Sequence, residues 1–174
     1  MLKKTENNII SSIFGFHRLQ IHGISTKHGQ PFYRESFGPF EKMVAMANAE
    51  IYNYRELNNR YDLEWEDGDS DCAVIYPLYE KLGLEKMIDQ LDGVFAFVIY
   101  DTENGNVYAG RDPIGVRPLF YGINDESICF CSEIKGLSDI YDKVYVFPPG
   151  HYAIYENGTP NANSYLCTSD GDAH

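Results

Sequence analysis

The sequence predicts an α+β domain in which antiparallel strands layer against helices grouped elsewhere in the chain. Three features point this way. Residues 67–93, DGDSDCAVIYPLYEKLGLEKMIDQLDG, read as two helices in succession. From residue 94 the pattern turns to strands, beginning VFAFVIYD and VYAGRD around an Asn-Gly pair, a strong hairpin signal. Strands clustered apart from helices indicate α+β layers, because a parallel βαβ wind would alternate them.

The elements follow in order. IFGFHRLQI, residues 13–21, reads as a strand, and residues 23–42 carry the turn signals His28-Gly29, Gln30-Pro31 and Gly38-Pro39. MVAMA, residues 43–47, is the short apolar run of a buried strand, and the polar YNYRELNNR after it is helix-like. Ser70 or Asp71 can cap the first of the two later helices, and Gly83 separates them. Pro77 falls inside that first helix, where a missing donor and a ring clash predict a kink costing about 3 kcal/mol unless relieved. PLFYGI and SICFCS form a second hairpin across Asn124-Asp125-Glu126. SEIKGLSDI suits a short helix, and KVYVFPPGHYAIYENG a strand pair broken at Pro148-Pro149-Gly150. Phe95, Phe97 and Ile99 alternate as core residues do. The polar end of the chain reads as a loose tail.

Composition narrows the function. With 174 residues, 44% apolar and 14% aromatic, the chain supports one domain with a real core. Fourteen basic against 26 acidic residues give −12, which disfavours nucleic acid or an anionic membrane as partner. No apolar run approaches the roughly 20 residues of a membrane span, and MLKKTENNII lacks the apolar segment of a signal peptide. The cysteines at 72, 129, 131 and 167 match no zinc pattern, so a cytoplasmic protein with reduced thiols is expected. Cys129 and Cys131, two apart on one strand, should share a face in the core. His17, His22, His28, His151 and His174 have no ligand spacing, so no metal site is expected. Asn157-Gly158-Thr159 reads as a turn, and no Gly-rich phosphate loop occurs.

The polar residues at expected strand ends are Arg18, Asn48, Glu50, Asp71, Arg111 and Asp112. Arg18 offers a planar fork for a carboxylate. Glu50 and Asp71 could hold an ammonium, and Asn48 with a neighbouring backbone N–H could donate to an oxyanion. Together they complement an α-amino acid, although each also suits a structural ion pair or a turn. Arg111 and Asp112 are expected to form a buried structural pair near the pocket.

Seven segments sharpen this reading: FGFHRLQIHG, NAEIYNYREL, SDCAVI, LDGVFAFVIYD, GRDPIGVRPLFY, CSEIKGL and FPPGHY. In order and spacing the chain resembles the class II glutamine amidotransferase domain of asparagine synthetase, over roughly residues 14 to 155. The resemblance implies a four-layer α-β-β-α sandwich of the N-terminal-nucleophile hydrolase type. It implies an amidotransferase domain over residues 1–160, with 161–174 a polar tail or the start of a linker. In that family an N-terminal cysteine attacks the side-chain amide of glutamine, its own α-amine serving as base. The ammonia passes to a synthetase domain that activates aspartate with ATP. By motif match, Arg18 would pair with the substrate carboxylate and His22 would line that end. Glu50 and Asp71 would hold the α-amino group, while Asn48 and the Ala49 N–H would form the oxyanion hole.

The chain departs from the family at several points. The family begins Met-Cys-Gly-Ile, whereas this sequence begins Met-Leu-Lys-Lys and its first cysteine is Cys72. The expectation is that the front of the domain, with its first, central strand, lies upstream. Asn-Ala-Glu replaces the family's Asn-Gly-Glu, so the Ala49 β-carbon is expected to narrow the hole or shift its N–H. Pro77 is a third irregularity. No Ser-Gly-Gly-x-Asp-Ser loop occurs, so ATP and Mg belong to a synthetase domain or subunit, and no cofactor is expected in this one. Without the cysteine the polypeptide is expected to bind glutamine without hydrolysing it. The alternative is a non-catalytic amino-acid-binding or docking module.

Overall fold

A computed structural model describes residues 2–4, 10–15, 29–33, 43–67, 69–156 and 167–168. Strands β1 (Leu2–Lys4) and β2 (Ile10–Ser12) pair with each other. After β3 (Phe32–Tyr33) comes the nine-residue β4 (Met43–Ile51), then α1 (Tyr54–Tyr61). A 3-10 turn, Asp71–Val74, runs into α2 (Ile75–Leu82), which α3 (Leu84–Gln90) follows. The strands β5 (Gly93–Asp101), β6 (Val107–Arg111), β7 (Phe120–Ile123) and β8 (Ile128–Cys131) come next. The short α4 (Lys135–Ser138), β9 (Val144–Val146), β10 (His151–Tyr155) and β11 (Cys167–Thr168) complete the described chain.

Six strands form one antiparallel sheet in the order β11-β10-β6-β5-β4-β3, and three form another in the order β8-β7-β9. The two-residue period of a strand sends alternate side chains to opposite faces. In β4 and β5, Ala45, Ala47, Ile51, Phe95, Phe97 and Ile99 meet Leu57, Val74, Ile75, Leu78 and Met87 of the helical layer. Ala96 and Tyr100 turn the other way, joining Val107, Ala109, Ala153 and Tyr155 against Leu119, Ile128 and Phe147. The large sheet therefore has helices on one face and the small sheet on the other. A fully buried Phe contributes roughly 1.5–3 kcal/mol, so Phe95 and Phe97 anchor the helical side as their alternation foretold.

Both expected hairpins form, β5–β6 and β7–β8. Between the first pair, Gly105 takes a φ of 72°, and Asp101 Oδ1 accepts from the Glu103 N–H at 2.9 Å. The expected strand at 13–21 differs: Ile13–Gly15 are not in a strand, and residues 16–21 lie outside the described residues. Within the polar tail, Cys167 and Thr168 pair with β10.

Two expectations need correction. The first helix begins as a 3-10 turn and becomes α-helical only at Ile75, which puts Pro77 in the first α-helical turn instead of mid-helix. Ser70 caps that turn, its Oγ accepting from the Cys72 N–H at 3.4 Å. The segments flanking Pro148-Pro149-Gly150 are not paired with each other either. β9 joins β7 in the small sheet while β10 joins β6 in the large one. The Pro-Pro-Gly turn carries the chain between sheets, with Gly150 at φ 68° and its N–H donating to the Asp112 carbonyl at 2.9 Å.

Candidate functional site

The end of β4 gathers most of the polar groups singled out from the sequence. Asn48, Ala49 and Glu50 lie opposite Ala96, Phe95 and Val94 of β5. Phe95 turns its own backbone groups the other way. Its carbonyl accepts from the Asp112 N–H at 2.8 Å, and its N–H donates to Asp112 Oδ2 at 3.3 Å. Antiparallel pairs alternate between bonded and non-bonded, so Ala49 is a non-bonded partner and its N–H and C=O face the outer edge of β4. The neighbours at 47 and 51 obey the same alternation.

Three side chains meet that edge. Gln30 clasps Ala47 twice, its Oε1 accepting from the Ala47 N–H at 2.6 Å and its Nε2 donating to the Ala47 carbonyl at 2.8 Å. The Cys72 thiol donates to the Ala49 carbonyl at 3.3 Å. Asp71 Oδ2 accepts from the Ile51 N–H at 2.7 Å. Carboxamide, thiol and carboxylate take up ladder positions at 47, 49 and 51.

The side chains of β4 divide between faces. Ala49 packs with the helical-face core, so the even-numbered Asn48 and Glu50 project to the opposite face. Glu50 is exposed, and its Oε2 lies 3.4 Å from Arg117 Nη2. Ala49 keeps ordinary extended backbone, since among the described non-glycine residues only Asp62 and Glu64 have positive φ. The methyl group that distinguishes Asn-Ala-Glu from Asn-Gly-Glu therefore points at the helical core, away from the face bearing Asn48 and Glu50.

The GRDPIGVRP segment frames the other side. Asp112, 1% exposed, gathers backbone donors: Gly115 at 2.6 Å, Val116 at 3.0 Å and Ile114 at 3.2 Å on Oδ1, with Arg117 at 3.1 Å and Phe95 on Oδ2. Burial alone would raise its pKa, but these N–H groups outweigh burial and hold it below 3.8. Arg111 reaches three carbonyls instead: Arg117 at 2.7 Å, Phe147 at 2.6 Å and Gly115 at 2.8 Å. The expected Arg111–Asp112 pair is thus corrected, because adjacent residues on an extended backbone project apart and each finds main-chain partners. Their joint effect is to fix the loop that presents Arg117 to Glu50.

Cys72, the cysteine at this edge, is not poised to attack. Burial first, and the Asp71 carboxylate second, push the Cys72 thiol from 9.0 up to about 12, so it is neutral and inert at neutral pH. Cys129 and Cys131 share one face of β8 as expected, but they are half-buried and join neither core cluster, which corrects their assignment to the core. Among the described residues no group of three His, Cys, Asp or Glu could hold a metal ion, and no helix is long and apolar enough to cross a membrane.

Of the residues proposed from sequence, Asn48, Ala49, Glu50 and Asp71 come together here, while Arg18 and His22 lie outside the described residues. Gln30, Cys72 and Arg117 were missed. Gln30 looked only like part of a turn signal, and nothing local marks a partner 17 residues away.

The glutamine amidotransferase domain family matches residues 5–143, and the chain belongs to it. Within that family it is closely related to asparagine synthetase. It is 38% identical over 157 residues to the glutamine-hydrolysing asparagine synthetase of Rattus norvegicus, covering 86% of this chain and 27% of that protein. The Homo sapiens enzyme is 37% identical over the same length, and that of Zea mays 42% identical over 127 residues, 72% of this chain and 21% of that protein. The chain thus spans about a quarter of the synthetases it matches. In fold it is similar to glutamine phosphoribosylpyrophosphate amidotransferase from B. subtilis, with a TM-score of 0.65 at 20% identity, over 83% of this chain and 32% of that one. A second similar structure, the allosteric regulatory enzyme of purine biosynthesis, has a TM-score of 0.58 at 21% identity, over 74% and 29%.

Proposed function

We propose that this chain is a glutamine-binding amidotransferase domain of asparagine synthetase type, with its pocket at the outer edge of β4. One observation carries the reading. The Asp71–Ile51 hydrogen bond holds Asp71 within one residue of Glu50, so two carboxylates flank the strand end that bears Asn48 and the outward Ala49 N–H. An α-ammonium suits the carboxylates, and a side-chain amide carbonyl suits the Asn48 amide and the Ala49 N–H. Arg18 and His22 are assigned to the α-carboxylate end by motif match. The intact system would pass ammonia to an ATP-dependent synthetase domain or subunit, in the cytoplasm.

Residues 1–174 taken alone bind glutamine without turnover, because their first cysteine, Cys72, is buried and protonated. The wider architecture belongs to the same reading. Tyr141, beyond α4, packs on the outer face of the small sheet at Gly122, which we take as a reduced outer helical layer of an α-β-β-α sandwich.

Two measurements test this. Calorimetry with L-glutamine should show binding that Glu50→Gln removes, since that change discards the charge and no backbone contact. Glutamate and ammonia should not accumulate above an Arg18→Ala control. No binding by the unmodified chain refutes the pocket, and turnover refutes the inertness.

A further inference from the structure

The oxyanion donor assigned above sits on a strand edge, where a peptide has no neighbouring strand to keep it in line. Its flanking peptides are nonetheless held. On one side Gln30 Nε2 donates to the Ala47 carbonyl while Gln30 Oε1 accepts from the Ala47 N–H. On the other the Cys72 thiol donates to the Ala49 carbonyl. The peptide that bears the Ala49 N–H lies between these two grips. Gln30 is half-buried, and Cys72 is 4% exposed with its proton firmly retained, so both contacts persist at neutral pH.

We propose that Gln30 and Cys72 are positioning residues that aim the Ala49 N–H at the amide carbonyl of glutamine, an inference that rests on the pocket assignment above. A side-chain clasp has a use here that a paired strand lacks. A neighbouring strand would consume the Ala49 N–H in its ladder, whereas a carboxamide at 47 and a thiol at the 49 carbonyl hold the edge and leave that donor pointing outward. Neither residue touches the ligand. Each acts through the backbone of β4.

The test separates aim from general integrity by using two ligands with the same head group. L-Glutamine carries the amide carbonyl; L-norvaline keeps the α-ammonium, the α-carboxylate and the first two methylenes but lacks it. Both are titrated into the 15N-labelled 174-residue chain, with the Ala49 amide as reporter. In Gln30→Ala and Cys72→Ala, glutamine affinity should fall by about two- to tenfold, the span of one net hydrogen bond, while norvaline affinity holds. Equal weakening of both ligands, or of neither, overturns the positioning role. Should Gln30→Ala fail to fold, Gln30→Met removes both hydrogen-bonding groups at similar size and adds no charge, and Cys72→Ala reports independently. Failure of the underlying pocket looks different: the unmodified chain then takes up neither amino acid, and the positioning role falls with it.

Discussion

Glu50 and Arg117 stand 67 residues apart in sequence, and the Arg117 guanidinium lies 3.4 Å from the Glu50 carboxylate. Backbone contacts made by Asp112 and Arg111 set the loop that brings them together. Arg117 Nε is buried without a hydrogen-bond partner among the described residues, so this guanidinium is incompletely satisfied. A ligand ammonium arriving at Glu50 must share the carboxylate with it.

Replacing Arg117 by Met should therefore tighten L-glutamine binding about two- to fivefold, the weight of a half-exposed ion pair. Raising NaCl should screen Arg117 from Glu50 and narrow the gap between variant and wild type. Calorimetry at two ionic strengths reads both. Weaker binding in Arg117→Met would mean that Arg117 helps the ligand instead of competing for Glu50.

Asp112 predicts an acid-sensitive loop. Its folded pKa is depressed, so its contribution is full above 3.8 and is lost as pH falls through the lower folded value. Asp112→Asn puts an amide donor among backbone N–H groups and should cost about 3 kcal/mol at pH 7. Its stability should also fall less than that of wild type below pH 4. Urea unfolding at pH 7 and pH 3 checks both statements.

Alkaline pH should destabilise the fold. The Cys72 pKa is raised, so the unfolded chain loses that proton first, near pH 9.0, and stability declines from there towards about 12. The slope from this thiol is at most about 1.4 kcal/mol per pH unit. Burial also raises Tyr141, up to about 12, and raises Tyr79 and Tyr155, steepening the decline. Melting temperatures from pH 8 to 11 should drop more gently in Cys72→Ala. In the native wild type, iodoacetamide at pH 8 should reach Cys129 and Cys131 before Cys72.

Gly93 has a packing reason to be glycine. A β-carbon there would run into the Glu50 carbonyl oxygen across the β4–β5 ladder. Gly93→Ala should cost about 1–3 kcal/mol, as overpacking against backbone does, and should weaken glutamine binding because the strand carrying Glu50 must move. Thermal melts and calorimetry of the one variant test both effects. Unchanged values would show that the two strands part freely.

Local chemistry determined a good deal in advance. Period-two alternation at Phe95, Phe97 and Ile99, the Asn-Gly turn at 104–105 and the Gly83 break follow from near neighbours in the chain, and all three took the form expected of them. Motif order led to the family, and residue chemistry nominated Asn48, Ala49, Glu50 and Asp71. Only the assembled sheets decided which backbone edge of β4 faces outward, because that depends on how Phe95 bonds to Asp112 across β5. The same holds for the Ala49 methyl, which registers on the helical face, and for Gln30 and Arg117, whose partners lie 17 and 67 residues away. Hydrogen bonds and ion pairs between distant segments leave no periodic trace in the chain; they exist once packing has closed the distance.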